Sequence, residues 1–348
     1  MRDFTAAQME EEARRLYALL GNVTDFKTGG KYTLEHCRAI APSVLAVNNL
    51  KKENDAVILA HYYCAPEIVY GVADFKGDSY ALAKKAAEFA GRNIIFCGVY
   101  FMAQTAKIVN PGKRVYLPPV TAGCSLADGI DADTVSKLKE SYPDAAFVCY
   151  INSTAEVKAL CDVCVTSSNV YDIAAALPNE RIVFIPDLFM ADNIRAELKR
   201  RGIKKEVLSF GATCCVHDKY TVRDVEELRW AHPSVKIISH PECPLAVCEI
   251  SDYCGSTSGM LDYVKKSDAK EFAVLSEDGI VNSLELENPS KTFYAVSRPC
   301  GQMKRNTLGN ILGVLNNLEQ APQVQVPCDT ALRAKKCIDN MFEMAGKK

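Results

Sequence analysis

Short apolar runs that end in polar clusters recur along this chain at intervals of about ninety residues. Three of them begin at Asp55 (DAVILAHYY), Asp144 (DAAFVCYIN) and Ser234 (SVKIISHPE), 89 and 90 residues apart. Each run is short, rich in apolar residues and bounded by polar ones, which is the pattern of a buried parallel strand. The sequence therefore predicts three equivalent central strands, each of which delivers polar side chains at its carboxyl end.

Each central strand is followed by the same succession of turn, helix and second strand. The turns lie at Asp74, Asp162 and Asp252, and the second apolar runs are in register at Ile94, Ile182 and Phe272, in both cases 88 and 90 residues apart. We interpret the three aspartates as structural turn or cap residues. Strands that alternate with helices predict an α/β fold of three homologous three-layer αβα units, each with a small parallel sheet.

The repeat divides the chain into five segments. We expect an N-terminal helical extension over 1–44, α/β repeats over 45–130, 131–220 and 221–305, and a C-terminal helical segment over 306–348. Open α/β sheets bind ligands beyond the carboxyl ends of their strands. Three units in a pseudo-threefold triangular arrangement would therefore direct their strand ends at one central site.

Equivalent positions of the three units supply the candidate residues of that site. Four sets would converge there: His61, Tyr150 and His240; Tyr63, Asn152 and Glu242; Ser79, Ser167 and Thr257; and Cys124, Cys214 and Cys300. Imidazole, hydroxyl and amide groups suit the oxygens of a small polyanionic substrate. Glu242 is the one carboxylate among them, so it is the candidate general acid/base, with Tyr63 as its candidate partner.

The three cysteines that close the repeats suggest a metal centre. Three converging thiolates can hold zinc, or a 4Fe-4S cluster with one iron left open. The polar surroundings favour the cluster, because an open iron can act as a Lewis acid on a hydroxyl or carboxylate. Cys161 and Cys164 form an isolated CxxC without a second pair at zinc-site spacing, so we expect no structural zinc site there.

Composition narrows the class of protein. The 348 residues are 48% hydrophobic, with 41 basic and 43 acidic side chains and a net charge of −2. Without a basic block, nucleic acid is not an expected partner. The acidic N-terminus does not resemble a secretory signal, and every apolar stretch is shorter than a membrane span, so we expect a cytoplasmic protein without membrane contact.

Among the 15 cysteines, eight are expected to pack as small hydrophobes: Cys64, Cys97, Cys149, Cys161, Cys164, Cys243, Cys248 and Cys254.

A series of longer segments resembles a known family. The segments are HYYCAPEIVYGVADFKGDS, FCGVYFMAQTAKIVNP, AGCSLAD, YINSTAEVKALCDVCVTSSN, CCVHDKYT, HPECP and GSTSGM. From about Asp55 to Leu308 they are similar, in order and spacing, to the signature segments of quinolinate synthases. The resemblance implies a triangle of three α/β domains around one 4Fe-4S cluster. It also implies condensation of iminoaspartate with dihydroxyacetone phosphate, with loss of phosphate and two waters, to give quinolinate for NAD biosynthesis.

The resemblance also implies roles for individual residues. Cys124, Cys214 and Cys300 would ligate the cluster and leave one iron open. Cys214 is preferred to Cys215, because Val216 and His217 complete the family's pattern of cysteine, any residue, valine and histidine. The implied catalytic residues are Glu242, Tyr63 and His61. The expected substrate-binding residues, to which the symmetric sets add Ser79, are His61, Ser79, Tyr150, Asn152, Ser167, His240, Glu242, Ser256 and Thr257.

The chain departs from the family pattern at its third cysteine. Pro299 precedes Cys300, whereas the family often has the proline directly after the cysteine. Cys328 is the candidate ligand that could substitute for Cys300.

A 4Fe-4S hydro-lyase acting on a small hydroxy acid is the nearest alternative function. A small-molecule binding protein with zinc or no metal is an alternative of another class. A transient contact with an iminoaspartate-producing enzyme is a further expectation.

Overall fold

The computed structural model describes residues 4–25 and 28–346. Its first elements are two helices and a short antiparallel hairpin: α1 (Ala6–Leu20), β1 (Thr24–Asp25), β2 (Gly30–Lys31) and α2 (Leu34–Glu53). Helix α1 packs against α2. Both helices begin at a threonine N-cap, Thr5 and Thr33, whose side chain accepts a backbone hydrogen bond from the first turn. The N-terminal helical extension was predicted to end at residue 44, which falls within α2. The boundaries of the five predicted segments stay a prediction.

Three successive α/β units follow. The first contains β3 (Ala56–His61), α3 (Pro66–Val69), β4 (Phe75–Gly77), α4 (Ser79–Glu88), β5 (Asn93–Cys97), α5 (Tyr100–Val109) and β6 (Arg114–Tyr116). The second contains α6 (Ala132–Ser141), β7 (Ala146–Tyr150), α7 (Ala155–Lys158), β8 (Val163–Val165), α8 (Val170–Ala176), β9 (Arg181–Ile185), α9 (Leu188–Arg200) and β10 (Glu206–Ser209). The third contains α10 (Val222–Ala231), β11 (Lys236–Ser239), α11 (Leu245–Ile250), β12 (Tyr253–Cys254), α12 (Thr257–Lys266), β13 (Glu271–Leu275), α13 (Asp278–Glu287) and β14 (Thr292–Ala295).

Each unit has one four-stranded parallel sheet with the same strand order. The orders are β4-β3-β5-β6, β8-β7-β9-β10 and β12-β11-β13-β14, so the first strand of each unit lies between the second and the third. The predicted class of three homologous αβα units with small parallel sheets is confirmed. The three central strands predicted from the apolar runs are β3, β7 and β11.

Two C-terminal helices, α14 (Leu308–Asn316) and α15 (Cys328–Ala345), pack back onto earlier units. Helix α14 contacts α2, whereas α15 lies against α7 and β8 of the second unit.

Of the eight cysteines expected to pack, seven are buried and Cys254 is half-buried. Within the described part of the chain, none of the helices combines the length and the apolarity that crossing a membrane requires.

The recurrent aspartates link the strands of each sheet. Each lies directly before the second strand of its unit and accepts a hydrogen bond from a backbone N–H of the central strand: Asp74 from Ile58 (2.8 Å), Asp162 from Phe147 (2.7 Å) and Asp252 from Ile237 (2.9 Å). The N–H of each aspartate donates in return to the carbonyl of the same strand residue. The structural interpretation of the three aspartates is therefore confirmed.

Replacing Asp252 by alanine is expected to lower the free energy of unfolding. The substitution leaves the Ile237 N–H without its acceptor, which costs roughly 1–3 kcal/mol for a buried donor. The midpoint of urea unfolding measures the loss. Asp329 on α15 provides the matched control, because 78% of its side chain is exposed, and Asp329→Ala should change stability by no more than about 0.5 kcal/mol. Equal midpoints for the two variants would contradict the structural role.

Candidate functional site

One cavity lies where the carboxyl ends of the three central strands meet. It is lined by all twelve residues of the four predicted sets: His61, Tyr63, Ser79, Cys124, Tyr150, Asn152, Ser167, Cys214, His240, Glu242, Thr257 and Cys300. Ser256 is the exception among the expected substrate-binding residues. Its hydroxyl accepts a hydrogen bond from the Gly259 N–H (3.1 Å) and so caps α12. Its role in substrate binding stays a prediction.

The three cysteines occupy equivalent backbone turns. Each is followed by a short 3-10 helix: Cys124 by Ala127–Gly129, Cys214 by His217–Lys219, and Cys300 by Met303–Arg305. The carbonyl of each cysteine accepts the N–H four residues later, at 2.9, 2.9 and 3.0 Å. In each turn, the N–H groups two and three residues after the cysteine donate to its sulfur. Such N–H donors stabilise a sulfur that carries negative charge or binds a metal.

The turn at Cys300 matches the other two despite Pro299. Cys215 also lines the cavity, but it is exposed and its N–H is held by the Ser125 hydroxyl (3.1 Å). Cys328 is exposed at the start of α15. The N–H donors in equivalent turns therefore favour Cys214 and Cys300 over these two alternatives as ligands.

The donor set fits a cluster better than a single ion. A lone zinc ion lies about 2.3 Å from each sulfur ligand, so two sulfurs on one zinc are at most about 4.6 Å apart. The sulfurs of Cys124, Cys214 and Cys300 do not form a set with all distances within 4.8 Å, among the residues that the structure describes. Three more widely spaced thiolates suit a cluster in which each sulfur binds a different iron.

The cysteines are neutral thiols before a metal binds. Burial raises the pKa of Cys124 to about 12 and that of Cys300 to about 11. Burial and the nearby charge of Glu242 raise the pKa of Cys214 well above its usual range. Metal binding must therefore displace these protons.

Glu242 is a buried carboxylate with hydrogen-bond donors on both oxygens. The Tyr150 hydroxyl donates to Oε1 (2.7 Å), and Nδ1 of His217 lies 3.0 Å from Oε2. Burial opposes ionisation, but His240, His217 and the Tyr150 hydroxyl together hold the pKa of Glu242 below its ordinary value. The carboxylate is therefore ionised at neutral pH and can accept a proton.

His61 and His240 are neutral and have the same tautomer. Burial lowers the pKa of His61 to about 4 and that of His240 to about 3. Nδ1 of His61 accepts the Tyr63 N–H (3.1 Å), and Nδ1 of His240 accepts the Glu242 N–H (3.3 Å). A neutral imidazole that accepts at Nδ1 carries its proton on Nε2. Both rings therefore offer an N–H donor.

A continuous hydrogen-bonded chain joins Tyr63 to Glu242. The Tyr63 hydroxyl contacts the hydroxyls of Thr257 (3.2 Å) and Ser276 (3.1 Å), and Ser276 contacts Nε2 of His217 (3.1 Å). His217 reaches Glu242 through Nδ1. Burial and the charge of Glu242 raise the pKa of Tyr63 well above its ordinary value, so Tyr63 keeps its proton. The chain thus connects a protonated acid with an ionised base.

The sequence did not predict His217 and Ser276, the two residues that connect Tyr63 to Glu242. In the sequence, His217 only distinguishes Cys214 from Cys215, although its place three residues after a candidate ligand is a usable signal. Ser276 has no such signal, because the equivalent positions of the other units are Gly98 and Pro186.

Tyr63 is held in place by the third unit. Lys304 Nζ donates to the Tyr63 carbonyl (2.7 Å) and pairs with the buried carboxylate of Glu277 (2.8 Å), which also accepts the Cys300 N–H (2.9 Å). At Gly279 the backbones are in direct contact, since an added Cβ would lie 2.6 Å from the Tyr63 Cα. Lys304, Glu277 and Gly279 form what we call the Tyr63 seat, which was not predicted from the sequence.

Gly279→Ala is expected to lower kcat by about a hundredfold, because a displacement of about 1 Å at a reacting group can cost that much. The added methyl group would push the Tyr63 backbone away from α13. Steady-state kinetics and iron content measure the effect. Gly313→Ala is the matched control, because a Cβ at that exposed position of α14 meets nothing within 4 Å. An unchanged kcat in Gly279→Ala would contradict the role of the seat.

Comparison with known proteins identifies the family. The family model described as "Quinolinate synthetase A protein" matches residues 45–343. The chain is 41% identical over 300 residues to "Quinolinate synthase" of Caldicellulosiruptor bescii, which covers 86% of this chain and 97% of the relative. It is 42% identical over 313 residues to "Quinolinate synthase" of Prosthecochloris aestuarii, covering 87% and 95% of the two chains. The match to the family model and the identity to these relatives both show that the chain belongs to the quinolinate synthase family.

Proposed function

We propose that this protein condenses iminoaspartate with dihydroxyacetone phosphate to form quinolinate, phosphate and two waters, as a step of NAD biosynthesis. The observation that supports it most is the cavity, because three cysteine turns, an ionised Glu242 and a protonated Tyr63 from three different units meet there. A binding protein would not need an acid and a base joined by a hydrogen-bonded chain.

Cys124, Cys214 and Cys300 would hold one 4Fe-4S cluster per chain and leave one iron without a protein ligand. When bound, such a cluster supplies an iron that acts as a Lewis acid on a substrate oxygen or nitrogen. The spacing of the sulfurs and their N–H donors support this assignment. Protein side chains carry out the remaining steps.

Substrate binding rests on neutral donors. Among the described residues, no lysine or arginine lines the cavity. The Nε2–H groups of His61 and His240 would donate to carboxylate or phosphate oxygens, together with Tyr150, Asn152 and the hydroxyls of Ser79, Ser167 and Thr257. Fixed donors in a buried site bind an anion without a full counter-charge and orient it for reaction.

The proton transfers fall to Glu242 and Tyr63. Condensation requires a base that removes a proton from carbon, and dehydration requires an acid that protonates the departing oxygen. Glu242 would accept the first proton, and Tyr63 would donate the second. A proton on Glu242 can pass through His217 and Ser276 to the Tyr63 oxygen, which returns both groups to their starting states.

The test is quinolinate formation by anaerobically purified, cluster-reconstituted protein, with iminoaspartate generated in the assay. Product is expected only when dihydroxyacetone phosphate is also present, and exposure to air should abolish it. An intact four-iron cluster without quinolinate would favour the hydro-lyase alternative. Absence of bound iron after reconstitution would contradict both the quinolinate synthase function and the hydro-lyase function. The contact with an iminoaspartate-producing enzyme stays a prediction.

A further inference from the structure

Three side chains at one edge of the cavity have the arrangement of a site for a single metal ion. The Sγ of Cys214, Nδ1 of His217 and one carboxylate oxygen of Glu242 all lie within 4.8 Å of one another. Nδ1 of His217 is 3.2 Å from the sulfur and 3.0 Å from Oε2 of Glu242. Among the described residues, no other three cysteine, histidine or acidic side chains are this close.

The chemistry of this set suits zinc. Thiolate, imidazole and carboxylate are the three side-chain ligands that Zn²⁺ uses, and three protein ligands leave its fourth tetrahedral position open. One thiolate and one carboxylate also neutralise the two charges of the ion. Binding of the ion would displace the thiol proton of Cys214.

Each ligand is already oriented by a second group. Nε2 of His217 contacts the Ser276 hydroxyl (3.1 Å), which can accept the ring proton when Nδ1, the nitrogen that faces Glu242, binds the ion. Oε1 of Glu242 accepts the Tyr150 hydroxyl (2.7 Å), so Oε2 stays available. The Cys214 sulfur receives the N–H groups of its own turn. Supporting contacts of this kind accompany most protein metal sites.

We propose that the cluster-free protein binds one Zn²⁺ through Cys214, His217 and Glu242, with water or a substrate carboxylate as the fourth ligand. The site lines the cavity and is therefore open to small ions. Because Cys214 is also a candidate cluster ligand, zinc and the cluster would exclude each other, and the zinc form would be inactive. That competition rests on the proposed function, whereas zinc binding itself does not.

Cobalt titration of the cluster-free, full-length protein tests the proposal. Co²⁺ is a spectroscopic substitute for Zn²⁺, and we expect one Co²⁺ per chain with visible bands of a four-coordinate ion, a thiolate-to-cobalt absorption, and displacement by one equivalent of Zn²⁺. Cys214→Ser, His217→Gln and Glu242→Gln should each weaken binding by roughly a hundredfold or more, since even changes in supporting residues cost 10- to 100-fold.

Two control variants distinguish this site from one made by the three cysteines. Cys124→Ser and the exposed Cys328→Ser should both keep the cobalt spectrum and its stoichiometry. The proposal is overturned if wild-type protein binds no cobalt, or if Cys124→Ser abolishes binding while His217→Gln and Glu242→Gln retain it. Circular dichroism verifies that each variant is folded. Cobalt binding at this site without quinolinate synthesis by the reconstituted protein would support the zinc site and contradict the proposed function.

Discussion

Quinolinate formation and iron content are both expected to fall below detection when Cys124 is replaced by serine. Serine keeps the size of the side chain but supplies a poor ligand for iron, so only two of the three anchoring thiolates remain. The N–H groups of Leu126 and Ala127 would then face a hydroxyl group. Reconstituted wild-type protein should contain about four irons per chain, as a 4Fe-4S cluster requires.

Two serine variants serve as controls for the cysteine prediction. Cys215 is adjacent to a candidate ligand and lines the cavity, while Cys328 is exposed on α15. Cys215→Ser and Cys328→Ser should retain the iron and the activity of the wild type, whereas Cys214→Ser and Cys300→Ser should lose both. Full iron content in Cys300→Ser together with loss in Cys328→Ser would instead make Cys328 the third ligand.

Glu242→Gln is expected to lower kcat by about 10²- to 10⁴-fold, the usual contribution of a general acid/base. Glutamine has nearly the same shape and its amide oxygen can still accept the Tyr150 hydroxyl, but it cannot take up a proton. The cavity should therefore remain folded, and the iron content should not change. Steady-state kinetics on reconstituted protein, with iron and sulfide measured on the same sample, separate catalysis from cluster loss.

Glu249→Gln is the matched control for Glu242, because Glu249 is an exposed residue of α11, seven positions further along the chain. Its kinetics should equal those of the wild type. Wild-type turnover by Glu242→Gln at unchanged iron content would exclude the proposed base and leave Tyr63 and His61 as the remaining candidate catalytic residues.

The sequence predicted best which residues lie at equivalent positions of the three units and therefore meet in one cavity. The three units have the same strand order, so the spacing of about ninety residues identified equivalent positions, and the twelve residues of the four sets all line one cavity. The aspartate contacts with Ile58, Phe147 and Ile237 recur at equivalent places in the three units.

Contacts between units could not be predicted in the same way. Ser276 and Glu277 are essential parts of the geometry around Tyr63, yet the equivalent residues of the second unit are Pro186 and Asp187. The three units have diverged where each meets a different neighbour, so the repeat carries no information there. Likewise, the apolar pattern of α15 predicts a buried face but not that this face packs against β8.

The distribution of the three cysteine turns over three units sets an order of events during protein synthesis. Cys300 is translated 176 residues after Cys124, an interval of roughly 9 to 35 seconds at 5–20 residues per second. A cluster held by these three cysteines, as proposed, could therefore not be completed on a nascent chain before Cys300 has been added. The proposed zinc ligands are complete earlier, at Glu242, 58 residues before Cys300. A newly made chain would thus be able to capture zinc before it is able to hold a cluster.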